Sequence, residues 1–177
     1  MLLEDRIKNK IRDIPDYPKP GVIFKDISPL LADADLVEAI VTAQADHWSG
    51  MKIDAIAAIE ARGFIFGSLL ANALKCSFIP VRKFGKLPYK TVSREYALEY
   101  GTATIEMHVD AITKGMKVLV HDDLLATGGT ADATGSLVKN LGGDLVGFSF
   151  LINLSFLPGA NVLDQKFNVK PFYLVEY

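Results

Sequence analysis

The apolar residues along this chain change their spacing several times. In some segments they recur every three or four positions, as on one face of an amphipathic helix, and in others they form short continuous runs typical of buried strands. Pro15, Pro18 and Pro20 end the first helical segment, and Asp33 or Asp35 suits the N-cap of the second. The pattern predicts helices over 2–11, 36–48, 63–74 and 130–141, and strands over 53–59, 78–81, 102–107, 118–122, 145–152 and 172–175.

Predicted strands and helices therefore alternate through most of the chain. Such alternation is typical of a parallel sheet with helices on both of its faces. We predict an α/β fold with a central, mostly parallel sheet flanked by helices. The 177 residues contain no repeat or linker and predict a single domain, in which residues 1–32 contribute a small N-terminal cap.

The overall composition limits the class of protein. The formal net charge is −2, without the basic stripe of a nucleic-acid-binding surface. Cys76 is the only cysteine, which excludes an internal disulfide and fits a reducing compartment. The first residues are too polar for a secretory signal, and no apolar run approaches the roughly 18 residues of a membrane span. We therefore expect a cytoplasmic protein that binds neither nucleic acid nor membranes.

The strand predicted at 118–122 leads into two adjacent carboxylates, Asp122 and Asp123, and then a glycine–hydroxyl turn over 126–130. Ligands of open α/β sheets bind at the carboxyl ends of the strands. The turn offers unobstructed backbone N–H groups, two hydroxyls and a helix N-terminus, which favour a phosphate. Alone, the carboxylates are compatible with a solvated strand end and the glycines with an ordinary turn. Together they indicate a phosphorylated sugar, and other phosphate motifs are absent.

This run resembles the motif with which type I phosphoribosyltransferases bind phosphoribosyl pyrophosphate (PRPP). The resemblance implies that Asp122 and Asp123 face the ribose 2′- and 3′-hydroxyls. It also implies the family's α/β fold. The 5′-phosphate would be bound by Ala126, Thr127, Gly128, Gly129 and Thr130.

Two basic segments provide further anion-binding candidates. Arg62 follows the 53–59 strand, where its planar guanidinium could bind a diphosphate or lie on the surface. A cluster at 82–86 is compatible with a solvated loop, but it also suits a leaving group with several negative charges. The segment 60–64 resembles the adenine-specific branch of the family. The resemblance implies that pyrophosphate is bound by Ala61, Arg62, Arg82, Lys83 and Lys86, with Lys86 able to reach across from a partner subunit.

The segment 91–101 is polar and weakly patterned, and its length fits an active-site lid. From composition alone, Glu99 is a solvated loop residue. The run 98–101 resembles the lid signature of the adenine branch, which implies that Tyr100 belongs to the lid and that Glu99 is the catalytic acid–base residue near the purine. Adenine loses a proton when its N9 bonds to the sugar, and a carboxyl group near N7 can take that proton.

The segment 20–29 also resembles the adenine branch, which implies that adenine is bound by Ile23, Phe24 and Lys25. Phe24 is equally compatible with an ordinary core position. Lys25 stands where arginine is frequent, so a bidentate contact is not assumed. The three histidines lack metal-ligand spacing, and strand alternation turns His121 away from the face of Asp122.

These motifs occur in the order typical of the family. The resemblance implies transfer of the phosphoribosyl group of PRPP to adenine, giving AMP and pyrophosphate for purine salvage. It also implies a homodimer, and Mg²⁺ held mainly by PRPP rather than directly by protein ligands. Three alternatives remain: a phosphoribosyltransferase for another purine, a PRPP-sensing regulator that binds nucleic acid, and a nucleotide-dependent methyltransferase with a similar sheet.

Overall fold

The computed structural model describes residues 1–98 and 101–177. The helices of this part are α1 Leu3–Lys10, α2 Ser28–Leu31, α3 Ala34–Trp48, α4 Gly63–Ala73, α5 Gly129–Asn140 and α6 Gly159–Phe167. Its strands are β1 Arg12–Pro15, β2 Ile23–Asp26, β3 Ala55–Ile59, β4 Ser77–Lys83, β5 Thr91–Ala97, β6 Thr102–His108, β7 Lys117–Leu125, β8 Asp144–Asn153 and β9 Phe172–Glu176.

The main sheet has the strand order β5-β6-β4-β3-β7-β8-β9. The five strands from β4 to β9 in this order pair in parallel, whereas β6 is antiparallel to both β4 and β5. Every residue of β3 is buried, as the continuous apolar run predicts for a central parallel strand. The predicted α/β fold with a mostly parallel sheet is therefore confirmed.

Helices cover both faces of this sheet. Val118 and Val120 of β7 belong to the apolar cluster that includes α5, whereas Leu119 between them packs with Trp48 of α3. Period-two alternation along β7 thus divides the core into two layers. Gly147 of β8 makes room for the indole, because a Cβ at this position would lie 2.5 Å from Trp48 Cη2. Asp33 caps α3, since its carboxylate accepts a hydrogen bond from Leu36 N at 3.1 Å, which agrees with the first of the two predicted caps.

Five elements were not predicted from the apolar pattern, namely β1, β2, β5, α2 and α6. The short strands β1 and β2 form a separate antiparallel hairpin where an extended connection was expected, and α2 and α6 were left unassigned. Within the segment predicted as a lid, residues 91–97 form strand β5, which pairs with β6 along its whole length, and their role as a lid stays a prediction. Glu99 and Tyr100 lie outside the described residues.

The N-terminal segment packs beside the main sheet. Ile7 of α1 and Leu30 of α2 are fully buried in one apolar cluster with Leu151 of β8 and Val175 of β9. The β1–β2 hairpin follows α1 and is thereby placed next to the carboxyl ends of the parallel strands. Within residues 1–98 and 101–177, no helix has the length and apolar character to cross a membrane.

Candidate functional site

Two predicted clusters meet where β3 and β7 end. These strands are parallel neighbours, so the residues that follow β3 lie beside the carboxyl end of β7. Arg62 Nε is 2.9 Å from Asp123 Oδ2. A Cβ at Gly63 would lie 2.7 Å from Asp122 Oδ1, so the start of α4 closely approaches the carboxylate pair. The structure thus brings Arg62 together with both aspartates.

The two aspartates differ in their surroundings. Burial, and then the charge of the neighbouring Asp123, raise the pKa of Asp122 well above its ordinary value. Burial also raises the pKa of Asp123, but the Arg62 guanidinium opposes this shift. Asp123 Oδ2 is buried and, among the described residues, has this ion pair but no hydrogen bond. A buried carboxylate oxygen in this situation is an acceptor that a ligand hydroxyl can satisfy.

The predicted phosphate loop lines a pocket together with Asp122. All five residues from 126 to 130 contribute to that pocket. Gly128 has φ +85°, in the left-handed region that favours glycine, and α5 begins directly after it. The carboxylate and the start of the helix therefore face the same space, as a sugar phosphate requires. The roles assigned to the individual loop residues remain predictions.

Gly159 supports this loop and was missed by sequence reasoning. Its backbone N–H donates to the Ala126 carbonyl oxygen at 3.1 Å. The position that a Cβ of Gly128 would take lies only 3.0 Å from Gly159 Cα, and a Cβ on Gly159 would overlap the Ala126 carbonyl oxygen. Lys166 of α6 also pairs with Asp132 of α5. The Leu-Pro-Gly run at 157–159 signals the start of a helix, but it carries no information about which loop that helix contacts.

The basic cluster is partly engaged within the protein. Arg82 Nε lies 2.9 Å from Glu60 Oε2, and Glu60 Oε1 accepts a hydrogen bond from Lys83 N at 2.6 Å. Arg82 Nη1 also donates to the Lys86 carbonyl oxygen at 3.1 Å. The side chains of Lys83 and Lys86 are exposed, and the charge of Lys83 acts on the nearby carboxylate of Glu60. These two ammonium groups are therefore available to an anionic ligand, whereas Arg82 is held by Glu60.

Glu106 organises the loop that carries these cations, although no sequence pattern marks it as functional. It is 2% exposed, and its Oε1 accepts hydrogen bonds from Lys86 N at 3.0 Å and Leu87 N at 2.9 Å. Its Oε2 accepts one from Thr91 Oγ1 at 3.2 Å. Burial opposes ionisation, but the donated hydrogen bonds outweigh it and lower the pKa of Glu106. Glu106 therefore remains ionised and fixes the backbone of the loop.

The predicted purine residues lie on both faces of β2. The Phe24 ring centroid is 4.7 Å from Arg62 Cζ. The Lys25 carbonyl oxygen accepts a hydrogen bond from Arg62 Nη1 at 3.1 Å, but the Lys25 ammonium pairs with Asp13 instead. Ile23 is 56% exposed. Arg62 is thus engaged by Asp123 and by β2, so a diphosphate would have to replace these contacts, and Lys25 faces the site only through its backbone.

The histidines form no centre at this site. His121 is fully buried, and a Cβ at Gly67 of α4 would lie 3.3 Å from its Cδ2. Burial lowers the pKa of His121 to about 3, so the imidazole is neutral. Across residues 1–98 and 101–177, no group of three or more His, Cys, Asp or Glu side chains could hold a metal ion.

Known proteins share both the sequence and this fold. Residues 31–163 match the family described as "Phosphoribosyl transferase domain". An adenine phosphoribosyltransferase of Cytophaga hutchinsonii is 54% identical over 162 residues, which cover 92% of this chain and 90% of the relative. The adenine phosphoribosyltransferase structure from Thermoanaerobacter pseudethanolicus has a TM-score of 0.95 at 48% identity, over 99% of this chain and 100% of that one. The Saccharomyces cerevisiae enzyme, complexed with adenine and D-2,5-dideoxy-2,5-imino-altritol 1,6-bisphosphate, has a TM-score of 0.89 at 36% identity and covers 97% of each chain. The chain therefore belongs to the phosphoribosyl transferase domain family and, within it, to the adenine phosphoribosyltransferases.

Proposed function

We propose that the protein transfers the phosphoribosyl group of PRPP to adenine, forming AMP and releasing pyrophosphate for purine salvage. The observation that carries this proposal is the pocket shared by Asp122 and the loop over 126–130, with the Arg62–Asp123 ion pair next to Asp122 in the chain. A carboxylate that can accept hydrogen bonds from hydroxyl groups and backbone N–H groups that can donate to a phosphate lie together there. The adenine and sugar bisphosphate analogue bound by the Saccharomyces cerevisiae enzyme support the same substrate pair.

The residues of the site suit the steps of this reaction. Asp122 and Asp123 accept hydrogen bonds from the ribose hydroxyls, and the loop N–H groups bind the 5′-phosphate, so the sugar is fixed at both ends. The bond from C1 of the ribose to the pyrophosphate oxygen breaks as the bond to adenine N9 forms. Lys83 and Lys86 stabilise the negative charge that develops on pyrophosphate. The carboxylate of Glu99 takes the proton that adenine loses.

The chemistry of the donor set fits Mg²⁺ that is held mainly by the substrate. The aspartate pair offers carboxylate oxygens at the strand end, and the described residues provide no cage of three or more metal ligands. Mg²⁺ commonly binds through one or two carboxylates together with substrate phosphates. When bound, the ion would neutralise charge on the diphosphate, while Asp122 and Asp123 orient the ribose.

A product assay tests the proposed reaction. The wild-type protein is incubated with PRPP and Mg²⁺ and with adenine, hypoxanthine or guanine in turn, and the nucleotides are identified by mass spectrometry. We expect AMP and one equivalent of pyrophosphate from adenine, a much slower reaction with either 6-oxopurine, and a lower rate without Mg²⁺. IMP or GMP as the main product would assign another purine. No nucleotide product at all would favour a PRPP-binding regulator.

We also propose a homodimer in a reducing, cytoplasmic location. Ile65 and Leu69 lie one turn apart on α4 and are each 38% exposed. An apolar patch of this kind suits burial against a second copy. Sedimentation of the wild-type protein tests the dimer, and the free thiol of Cys76 agrees with a reducing location.

We expect Gly159→Ala to weaken the binding of AMP through its phosphate. The added methyl group would overlap the Ala126 carbonyl oxygen, so the loop over 126–130 must shift. The expected loss is roughly tenfold in AMP affinity, with adenine affinity unchanged, as measured by isothermal titration calorimetry. Gly147→Ala is the control, because its Cβ would press on Trp48 in the core and lower stability without touching the loop. An equal loss of AMP affinity in both variants would contradict a specific role for Gly159.

A further inference from the structure

The ammonium group of Lys25 is used inside the fold. Its Nζ lies 2.7 Å from Asp13 Oδ1 and 3.8 Å from the centroid of the Tyr177 ring. Asp13 stands directly opposite Lys25 in the β1–β2 hairpin. Only 9% of Lys25 is exposed. A cation that has lost most of its water between a carboxylate and an aromatic face is held more strongly than the same cation at the surface.

Tyr177 is itself fixed to the main sheet. Its backbone N–H donates to the carbonyl oxygen of Asn153, the last residue of β8, at 3.0 Å. Its carbonyl oxygen accepts hydrogen bonds from Ser155 N at 2.8 Å and from Ser155 Oγ at 2.7 Å. The backbone that carries the ring is therefore held against the main sheet, and the contact between Lys25 and the ring connects the hairpin to that sheet.

A second contact connects Lys25 to the carboxylate pair. Its carbonyl oxygen accepts a hydrogen bond from Arg62 Nη1 at 3.1 Å, while Arg62 Nε lies 2.9 Å from Asp123 Oδ2. Lys25 is thus held at two points, by its ammonium through Tyr177 and by its carbonyl through Arg62. Phe24, next to it in β2, lies on the Arg62 side. A shift of β2 would move the Phe24 ring and the Lys25 carbonyl together.

We propose that Lys25 and Tyr177 are positioning residues for the purine, which fix β2 at its distance from Asp123. The inference rests on the proposed function and on the predicted binding of adenine by Phe24. The loop over 126–130 contacts α6 through Gly159 and the end of β5 through Tyr96 and Ala97. Loss of the Lys25–Tyr177 contact should therefore raise the KM for adenine while the binding of PRPP is preserved.

Steady-state kinetics of two single variants test this role. In Lys25→Met and Tyr177→Leu, we expect the KM for adenine to rise roughly five- to thirtyfold and the KM for PRPP to change less than about twofold. Tyr177→Phe keeps the aromatic face and should retain the wild-type KM for adenine. Lys8→Met is the matched control, because Lys8 Nζ lies 5.5 Å from the same ring but pairs with Glu4 of its own helix at 2.7 Å.

The outcomes separate this inference from the proposed function. If the wild-type protein forms no AMP, the proposed function fails and the inference fails with it. If it forms AMP but Lys25→Met leaves the KM for adenine unchanged, or raises both KM values equally, only the positioning role is wrong. The double variant should raise the KM for adenine no more than the more damaging single variant does, because both changes remove the same Lys25–Tyr177 contact. If Tyr177→Leu does not fold, the kinetics of Lys25→Met decide alone.

Discussion

Asp122→Asn is expected to raise the melting temperature at neutral pH and to lower kcat/KM by about 10²-fold, the loss expected when a reacting group is misplaced. The loss of activity follows because an amide replaces an ionised acceptor of the ribose hydroxyls. The gain in stability follows because the ionised carboxylate of Asp122 is penalised by burial and by the charge of Asp123. We expect a gain of roughly 2–4 °C, which corresponds to about 1 kcal/mol in a domain of this size. The gain is limited because the side chain of Asp122 is only half-buried, so solvent screens its charge.

The pH dependence of this gain gives a sharper test. The pKa of Asp122 in the folded protein lies above the ordinary value of 3.8. A group whose pKa is raised on folding stabilises the protein below its unfolded pKa, and this contribution is lost as the pH rises through the folded pKa. The difference in melting temperature should therefore be positive at neutral pH and disappear as the pH falls towards 3.8. Thermal unfolding followed by circular dichroism across this range measures it.

Asp123→Asn is the natural comparison for this prediction. Its carboxylate pairs with Arg62 at 2.9 Å, so the substitution removes a favourable contact as well as a buried charge. We expect it to lower activity like Asp122→Asn but to give a smaller gain in stability. A melting temperature for Asp122→Asn at or below that of the wild type at neutral pH would contradict the proposed electrostatic difference between the two aspartates.

Glu99→Gln is expected to lower kcat by about 10²–10⁴-fold, the usual contribution of general acid–base catalysis, with little change in PRPP binding. The amide keeps the shape of the side chain but cannot take the proton that adenine loses. Glu99 itself lies outside the described residues, but the strand before it ends next to the loop. A Cβ at Gly129 would lie 3.1 Å from Tyr96 Cδ2 and 3.3 Å from the Ala97 carbonyl oxygen.

Single-turnover and steady-state measurements separate the chemical step from substrate binding in this variant. Glu95→Gln is the control, because Glu95 is an exposed residue of β5 that lies opposite Thr104. Its kcat should remain close to that of the wild type. A wild-type kcat for Glu99→Gln, and likewise for Glu99→Leu, would remove Glu99 from the mechanism.

The parts of the fold that were predictable are those with strong local patterns. The apolar run of β7 and the glycine turn after it placed Asp122 and Asp123 near the carboxyl end of a strand, although β7 continues past them to Leu125. The parallel arrangement then required Arg62 to be near them, because both strands end at the same edge. Local chemistry and one topological rule were therefore sufficient to predict this part of the site.

The unpredicted parts depend on contacts between distant residues. Strand β5 reads as a polar loop because only one of its faces packs, and its pairing with β6 supplies the missing order. Glu106 lies in a strand pattern that does not distinguish a solvated carboxylate from one buried under loop N–H groups. The direction of the Lys25 ammonium depends on Tyr177, which lies 152 positions further along the chain. No local pattern contains that information.

The contacts of Arg62 have a consequence for how the two halves of the site communicate. One guanidinium is shared between the Lys25 carbonyl, on the side proposed for the base, and the Asp123 carboxylate, on the side proposed for the sugar. A ligand that moves the guanidinium towards one of these groups changes the contact that the guanidinium makes with the other. If the sugar substrate changes the affinity for the base by some factor, thermodynamic linkage requires that the base changes the affinity for the sugar substrate by the same factor. The two affinities are then properties of the pair and not of separate pockets.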